Sequence, residues 1–514
     1  MPGIQHHEND DDSDIFAVTA ARGFLPVRDP LRRLPTQTTL STSPPLLFDV
    51  LEALGDDLPK LLLCGNATLR QEIETRLNAV VAKTLPSSLS SEVEERLLLL
   101  LSFISHAYVW GRSPSSTTTS TVHDCDSIPT PLADLWIEVA RRRGRPPILT
   151  YSSFNLFNWR RMDKTGPVAL GNIACLNNFL GGMDEEWFRC VHIHIEAESV
   201  GSLRAMLRYV EESEKLNSSN STNNSGNRSG IWSSSGKTPL LLSLLEEALS
   251  EITICLATIR AVLARMGEGC DPHIYYSRVR QYMSGWRNNP ALPHGLLYGK
   301  EKEGKTEGGT KEDVKGQKEK AAAGLRERRQ YYGETGAQSC ILPAVDAFLG
   351  IIHEMDSMRE YLLEMRDYVP RAHLAFLLRL ESLHPSVREI VAQQEDGRQV
   401  GRGGERGGKG GTGEREISGA VVEISSDHER TLPTAYDQAV KALARFRALH
   451  LHAADTYINK PAESLGTGGS DFRVYLRKHH RDTKAQLLQS RERGSDGVGT
   501  EEEDREVGEP GVKV

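Results

Sequence analysis

The stretch PTAYDQAVKALARFRALHLHAADTYINKPA (433–462) has the spacing of a long helix with one buried face. Residues four and three positions apart share one side of a helix. In this stretch they are Tyr436, Val440, Leu443, Arg447, His450, Ala454 and Tyr457. The pattern therefore predicts an inward stripe that contains an arginine and a histidine, whereas His452 is turned away from His450 by about 200°.

Arg447 and His450 are polar residues on a face that is predicted to be buried, where a polar group without a partner is costly. A single inward histidine is more often a hydrogen-bonded core residue than a metal ligand. Arg447 favours the ligand hypothesis, because a buried guanidinium group requires an anionic partner. A haem with His450 on its iron and Arg447 on a propionate would satisfy both residues. If this helix supplies a metal ligand, we expect it to be His450.

Charge and cysteine content restrict the class of protein. The 514-residue chain has a net charge of −8, which argues against a nucleic-acid-binding protein. Its seven cysteines are scattered and form no C-x-x-C motif, as expected for reduced thiols. The acidic N-terminus has no signal-peptide pattern, and the longest apolar run (97–110) is too short to span a bilayer. We expect a cytoplasmic protein without membrane partners.

Other stretches also have helical periodicity. Helices are predicted over 92–110, from Thr130 to Gly144, and from Thr238 onward. Between 186 and 210 a helical face includes His192, a second inward histidine. The sequence HIH (192–194) could alternatively be a strand with two metal ligands, but the surrounding period is nearer 3.6 than 2.

Polar and low-complexity segments interrupt these helices. Residues 1–44 are polar and predict a disordered or loosely docked arm, and 489–514 predict a disordered acidic tail. Flexible inserts are predicted at 216–237, 300–330 and 395–416. The last is rich in Gly and Arg, so an RNA-binding segment is the alternative to a solvated loop, although it lacks aromatic residues for base stacking.

The architecture predicted from these patterns is all-α. Alternating strands are nearly absent. No dinucleotide-binding, phosphate-loop, zinc-protease or serine-hydrolase motif occurs in the structural context that it needs.

The chain resembles the indoleamine 2,3-dioxygenases, haem enzymes that open the indole ring of tryptophan. The resemblance covers most of 97–482 and lies in long stretches that keep the family's order. They are AYVWG (107–111), PPILTYSSFNLFNW (146–159), CDPHIYYSRVRQYMSGWRNNPALPHGLLYG (270–299), GAQSCILPAVDAFLGI (336–351), EMRDYVPRAHLAFLLRLESLHPSVREIV (364–391), FRALH (446–450) and GTGGSDFRVYLRKHHRDT (466–483).

The resemblance implies two helical domains and a haem b cofactor. A small domain (45–182) would cover a large haem-binding domain (183–488). His450 would be the proximal iron ligand, Arg447 would bind a haem propionate, and Asp346 would orient that arginine. His192 would lie above the iron, where relatives have serine or histidine, and could accept the indole N–H or hydrogen-bond bound dioxygen.

The substrate-binding residues are likewise implied by the resemblance. Arg280 matches the arginine that binds the substrate carboxylate, and a guanidinium fork suits that group better than a lysine does. Tyr275 and Tyr276 replace phenylalanines that pack against the indole. Further positions that match the pocket or its loops are Tyr151, Phe154, Asn155, Thr335, Gly336 and Thr467.

The implied reaction inserts both atoms of dioxygen at the indole C2=C3 bond of L-tryptophan and gives N-formylkynurenine. This is the first step of the kynurenine pathway towards NAD. The resemblance implies a monomer. The alternative is an oxygen-binding or oxygen-sensing haem protein without turnover, in which Tyr275, Tyr276 and Phe154 would block the pocket.

Overall fold

Helices build this fold. The computed structural model describes residues 14–35, 46–80, 84–111, 125–221, 238–299, 328–394, 426–458 and 472–488. The longer helices in these ranges are α1 (Leu47–Cys64), α2 (Asn66–Ala79), α3 (Ser91–Trp110), α4 (Thr130–Arg143), α5 (Met183–Glu198), α6 (Val200–Ser221), α7 (Thr238–Ala264), α8 (Ile341–Leu349), α9 (Ser357–Met365), α10 (Arg371–Glu381), α11 (Ser426–Ile458) and α12 (Phe472–Lys484). The all-α prediction is confirmed.

The strands in the described ranges are only two or three residues long. They are β1 (Ser127–Ile128), β2 (Trp159–Arg161), β3 (Ile173–Cys175), β4 (Leu296–Tyr298) and β5 (Arg328–Arg329). One sheet has the order β1-β4-β5, with β1 parallel and β5 antiparallel to β4. The other is the antiparallel pair β2-β3. These pieces fix connections between helices and do not form a layer of their own.

Helix α11 contains the predicted stripe and packs most extensively against α7 and α12. Tyr436, Val440 and Leu443 are fully buried, and Arg447 is 3% exposed. The hydroxyl of Tyr436 donates to the carbonyl of Leu349 at 3.0 Å, which ties α11 to the end of α8. The inward face predicted from the spacing is thus the face that packs.

Local signals in the sequence explain where α4 ends and where α5 stops. Gly144 closes α4 in the left-handed conformation at φ 65°, which glycine adopts without steric cost. The helical pattern between 186 and 210 is divided at Ser199 into α5 and α6. The Ser199 hydroxyl donates to the carbonyl of Glu196 at 2.7 Å, and this side-chain bond accompanies the break.

The N-terminal segment differs from its prediction. Residues 14–35 are not a loosely docked arm, because Ile15 and Phe16 are fully buried and Phe24 is 1% exposed. Phe16 and Phe24 both pack against the ring of His373 on α10. A few apolar residues in a polar stretch are enough to hold it in the core, and average composition does not register them.

One continuous cluster of buried apolar side chains extends from Ile15 to Leu488 and crosses the predicted domain boundary near residue 182. The division into two domains stays a prediction. Of the predicted inserts, residues 222–237, 300–327 and 395–416 lie outside the described residues, as does the tail at 489–514. Residues 216–221 of the first insert are instead the end of α6, and residues 328–329 of the second form β5. Within the described ranges, no helix is both long enough and apolar enough to cross a bilayer.

Candidate functional site

A cavity of about 740 Å³ lies between α5, α7, α8 and α11. Its volume falls within the roughly 300–1,000 Å³ of small-molecule and cofactor sites. Most of its wall is apolar, with Phe188, Ile195, Leu263 and Ile341 among the contributors. The predicted site residues that line it are Tyr151, His192, Tyr275, Thr335, Gly336, Asp346, Arg447 and His450. The fold therefore brings together side chains from segments up to 300 residues apart.

His450 contributes a neutral imidazole to the cavity. Burial lowers its pKa to about 4, and the charges of His192 and Arg447 act in the same direction. Its Nδ1 is buried and has no hydrogen-bond partner among the described residues. A neutral ring offers a lone pair, which is the form that a metal ion binds. The stripe residue thus has the protonation state that ligation requires.

His192 faces the same cavity from α5. Its Nδ1 lies 2.8 Å from the carbonyl oxygen of Phe188. Because a carbonyl can only accept, Nδ1 carries the hydrogen and Nε2 keeps its lone pair. Burial lowers the pKa of this ring as well, so it is neutral. HIH (192–194) is helical, and the alternative of a strand with two ligands is wrong.

Arg447 has the anionic partner that its burial demands. Its Nη2 lies 2.6 Å from Oδ2 of Asp346, and its Nη1 donates to the hydroxyl of Thr483 on α12. Burial alone would raise the pKa of Asp346, but Arg447 and His353 hold it down to about 2. Asp346 is therefore ionised at any physiological pH, and it fixes the guanidinium group at the cavity wall.

Two histidines near Arg447 were missed by the sequence analysis. His353 lies between two carboxylates, with Nε2 at 3.2 Å from Asp346 and Nδ1 at 3.2 Å from Asp482. The ring of His479 stacks on the His353 ring at a centroid distance of 4.0 Å. The pairing of His353 with Asp482 spans 129 residues, so no local pattern in the sequence reveals it.

Two groups of side chains have the composition of metal sites. The Asp346, His353 and His479 ligand atoms lie within 4.8 Å of one another. The imidazole planes are nearly parallel at 18°, so their in-plane lone pairs do not converge on one ion. The second group is Cys175, Glu186 and Cys190. There Glu186 already accepts from the Cys175 backbone at 2.6 Å and from Asn178 at 2.9 Å, which ties β3 to α5.

Tyr151 is fixed by a buried carboxyl group that the sequence analysis also missed. Oε1 of Glu196 accepts hydrogen bonds from the Tyr151 hydroxyl at 3.0 Å and from Ser339 at 2.8 Å. The Tyr151 backbone N–H donates to Gln338 at 2.8 Å. Burial raises the pKa of Glu196 to about 7, although both hydroxyl donors oppose the rise. Glu196 lies one helical turn beyond the predicted site residue His192, and this spacing is the sequence feature that could have identified it.

The raised pKa of Glu196 predicts a pH-dependent stability. Between the ordinary pKa near 4.5 and about 7, the folded state holds a proton that the unfolded state has lost. Stability should therefore fall as the pH rises through this range, by roughly 2–3 kcal/mol from this group. Glu196→Gln removes the titration and should flatten the dependence, which urea unfolding at pH 5 and pH 8 measures.

Glu198→Gln is the matched control for that prediction. It makes the same change on the same helix at a side chain that is 39% exposed. The control should keep the wild-type difference between pH 5 and pH 8. An equal difference in the Glu196→Gln protein would show that Glu196 is not the titrating group.

Tyr275, Tyr276 and Arg280 lie on an irregular helical segment. It begins at Asp271, whose carboxylate caps the backbone N–H groups of His273 and Ile274. It continues as a π-helix (Tyr275–Val279) and then a 3₁₀ turn (Arg280–Met283). Arg280 is 9% exposed, and its guanidinium carbon lies 5.3 Å from the Tyr276 ring centre. In the described part of the chain only Tyr275 of these three lines the cavity.

Phe154 and Asn155 lie behind the cavity wall. The Phe154 ring is packed beside Phe103 and under the guanidinium group of Arg189, at 6.0 and 4.8 Å. Asn155 Nδ2 donates to Oε1 of Glu334 at 3.1 Å. Glu334 lines the cavity and was not singled out from the sequence. Thr467 and its glycine-rich loop lie outside the described residues.

Comparison with known proteins agrees with the resemblance. Residues 12–502 match a family model described as Indoleamine 2,3-dioxygenase. The chain is 28% identical over 456 residues to indoleamine 2,3-dioxygenase 1 of Rattus norvegicus, covering 84% of this chain and 88% of the rat protein. It is 28% identical over 419 residues to indoleamine 2,3-dioxygenase 2 of Homo sapiens, covering 77% and 81%. It is 26% identical over 475 residues to indoleamine 2,3-dioxygenase of Saccharomyces cerevisiae, covering 88% and 82%.

Proposed function

The chain belongs to the indoleamine 2,3-dioxygenase family, and we propose that it cleaves the indole C2=C3 bond of L-tryptophan with dioxygen, using haem b held in the cavity. The family consists of haem-dependent oxidoreductases that act on tryptophan. The product would be N-formylkynurenine, the first intermediate of the kynurenine pathway. We further propose that the enzyme acts as a monomer in the cytoplasm, where its seven unpaired cysteines would stay reduced.

The observation that carries this proposal is a pair of neutral imidazoles facing one apolar cavity, with a buried arginine beside one of them. His450 would bind the haem iron, since its ring is neutral and its Nδ1 lacks a partner in the described ranges. Arg447 would bind a propionate, and Asp346 would hold it in place. When bound, the haem supplies the activation of dioxygen and the transfer of both oxygen atoms to the indole.

The chain's own part is to bind and orient the substrate. The Nε2 lone pair of His192 can accept the indole N–H, because Nδ1 is already committed to the Phe188 carbonyl. Tyr275 and Phe188, with ring centres 4.4 Å apart, provide an aromatic wall for the ring. A ring held this way presents a fixed bond for attack, and the apolar surroundings exclude water.

Arg280 would bind the substrate carboxylate. It is nearly buried and lies on the same helical segment as Tyr275. A bidentate pair in such surroundings is stronger than a contact with a point charge. Thr467 would bind the amino-acid part of the substrate, as the resemblance implies.

Turnover of tryptophan tests the proposal. Haem-loaded full-length protein is mixed with L-tryptophan and an ascorbate-type reductant in air, and the absorbance of N-formylkynurenine is followed. We expect many product molecules per haem. Reversible oxygen binding without product would favour the oxygen-binding haem protein instead.

A further inference from the structure

A second buried carboxyl group, that of Glu334, belongs to the cavity wall. It is 4% exposed and is held by the hydrogen bond from Asn155. The Glu334 backbone N–H donates to the carbonyl of Met283 at 3.1 Å. Met283 ends the 3₁₀ turn that begins with Arg280. The loop that carries Glu334 is therefore fixed to the turn that carries the predicted carboxylate-binding arginine.

The charged and titratable groups near Glu334 come from three elements. Burial and then Glu196 raise the pKa of the Tyr151 hydroxyl, burial raises the pKa of the Tyr275 hydroxyl, and the charge of Glu334 adds to both shifts. The charge of Arg280 opposes the rise in the pKa of Tyr275. Burial raises the pKa of Glu334 itself to about 8, although Asn155 and the charge of Arg189 lower it. At neutral pH this carboxyl group is mostly protonated until a cation enters the cavity.

A tryptophan zwitterion brings three polar groups into the cavity. Under the proposed function, Arg280 binds the carboxylate and His192 accepts the indole N–H. The α-ammonium group then still needs an anionic acceptor, because an unpaired buried charge is costly. That acceptor must lie near the arginine, since the two charged groups of an amino acid are attached to one carbon atom.

We propose that Glu334 is a further substrate-binding residue whose carboxylate receives the α-ammonium group, with Asn155 positioning it. The proposal rests on the proposed function and names the ligand class more closely. The cavity would select indoles that carry an α-amino acid over indole acids that lack the amine. On binding, the ammonium group keeps its three protons, and the proton of Glu334 is released to the solvent.

The test compares two ligands that differ by the amine. Titration calorimetry measures the affinities of L-tryptophan and indole-3-propionate for haem-loaded, full-length wild-type and Glu334→Gln protein. The measured quantity is the affinity for L-tryptophan divided by the affinity for indole-3-propionate. Glu334→Gln should lower this ratio by roughly 10- to 100-fold, because tryptophan binding becomes weaker. Asn155→Ala should lower the ratio by a smaller factor. An unchanged ratio in Glu334→Gln would overturn the proposal.

Glu198→Gln is the control, because it makes the same change at a carboxylate that is 39% exposed and is not among the described residues that line the cavity, so it should leave the ratio unchanged. A fall in the ratio equal to that of Glu334→Gln would also overturn the proposal. Proton release offers a measurement that needs no variant. Wild-type protein at pH 7 should release up to about one proton per tryptophan and none per indole-3-propionate, as shown by calorimetry in buffers of different ionisation enthalpy. Equal release for both ligands would contradict the role of Glu334.

Failure of this inference and failure of the proposed function give different results. Wild-type protein that turns over tryptophan while Glu334→Gln keeps the affinity ratio would exclude Glu334 alone. Wild-type protein that binds neither ligand would exclude the tryptophan enzyme, and Glu334 with it.

Discussion

The His450→Ala protein is expected to lose the optical spectrum of a haem bound to imidazole and to hold haem at least about tenfold more weakly. The neutral ring of His450 offers the lone pair, and alanine leaves nothing in its place. The propionate contact of Arg447 alone should retain only a fraction of the haem. Absorbance in the haem region, normalised to protein, measures the loss, and circular dichroism verifies the fold.

His452→Ala is the control for this prediction. It removes an imidazole two residues along α11 that is exposed to solvent. This variant should bind haem as the wild-type protein does. Added imidazole should restore part of the spectrum to His450→Ala, because the substitution leaves a space of that shape. A His450→Ala protein with the wild-type spectrum would exclude His450 as the ligand.

The second large effect is expected from Arg280→Ala, which should raise the KM for tryptophan strongly. Loss of a charge-assisted pair in a nearly dry site costs roughly 2–4 kcal/mol, or about 30- to 1,000-fold in kcat/KM. Haem content should not change, since the residues proposed to hold the haem are His450 and Arg447 on α11, and Arg280 lies on the separate segment that carries Tyr275. Steady-state kinetics over a wide range of tryptophan concentrations measure the effect.

Two further variants test whether the effect depends on the guanidinium group and on its position at residue 280. Arg280→Lys keeps the charge without the planar fork, so its KM should fall between those of the wild-type and alanine proteins. Arg278→Ala removes an exposed arginine two residues earlier and should leave the KM as it is. An unchanged KM in Arg280→Ala would remove Arg280 from the substrate site.

The sequence revealed most about α11, because its spacing alone placed Arg447 and His450 on the packed face. Helical periodicity indicates which face of a helix is buried, but it does not identify the residues that pack against that face. The pairing of Arg447 with Asp346 spans 101 residues and was available only through the resemblance. His353 and Glu334 acquire their chemical character from tertiary contacts, so no spacing rule could single them out, whereas Glu196 was indicated only by its place one helical turn beyond His192.

Backbone irregularities were equally hidden from pattern analysis. The π-helical turns at 152–156 and 275–279 carry or precede predicted site residues, yet their sequences have no feature that separates them from α-helix. Ser199 looked like one more position on a continuous face, and the break there depends on its hydroxyl bonding backward to Glu196. Ile15 and Phe16 were obscured by the polar residues around them.

The protonation states of the buried histidines and carboxyl groups at the site are mutually consistent. His192 and His450 are uncharged because they are buried, and each would disfavour a charge on the other. Glu196 and Glu334 are partly or mostly protonated for the same reason. Asp346 alone of these carboxyl groups is firmly ionised, and it is the one beside Arg447. The ionised carboxylate of Asp346 is thus paired with Arg447, where the propionate contact is proposed.

The most direct test of the account is isotope incorporation during tryptophan turnover. Haem-loaded, full-length protein is reduced and exposed to ¹⁸O₂ with L-tryptophan, and the product is analysed at once by mass spectrometry. We predict N-formylkynurenine that contains two labelled oxygen atoms. Product with one labelled atom or none, or no product from protein that contains haem, would contradict it.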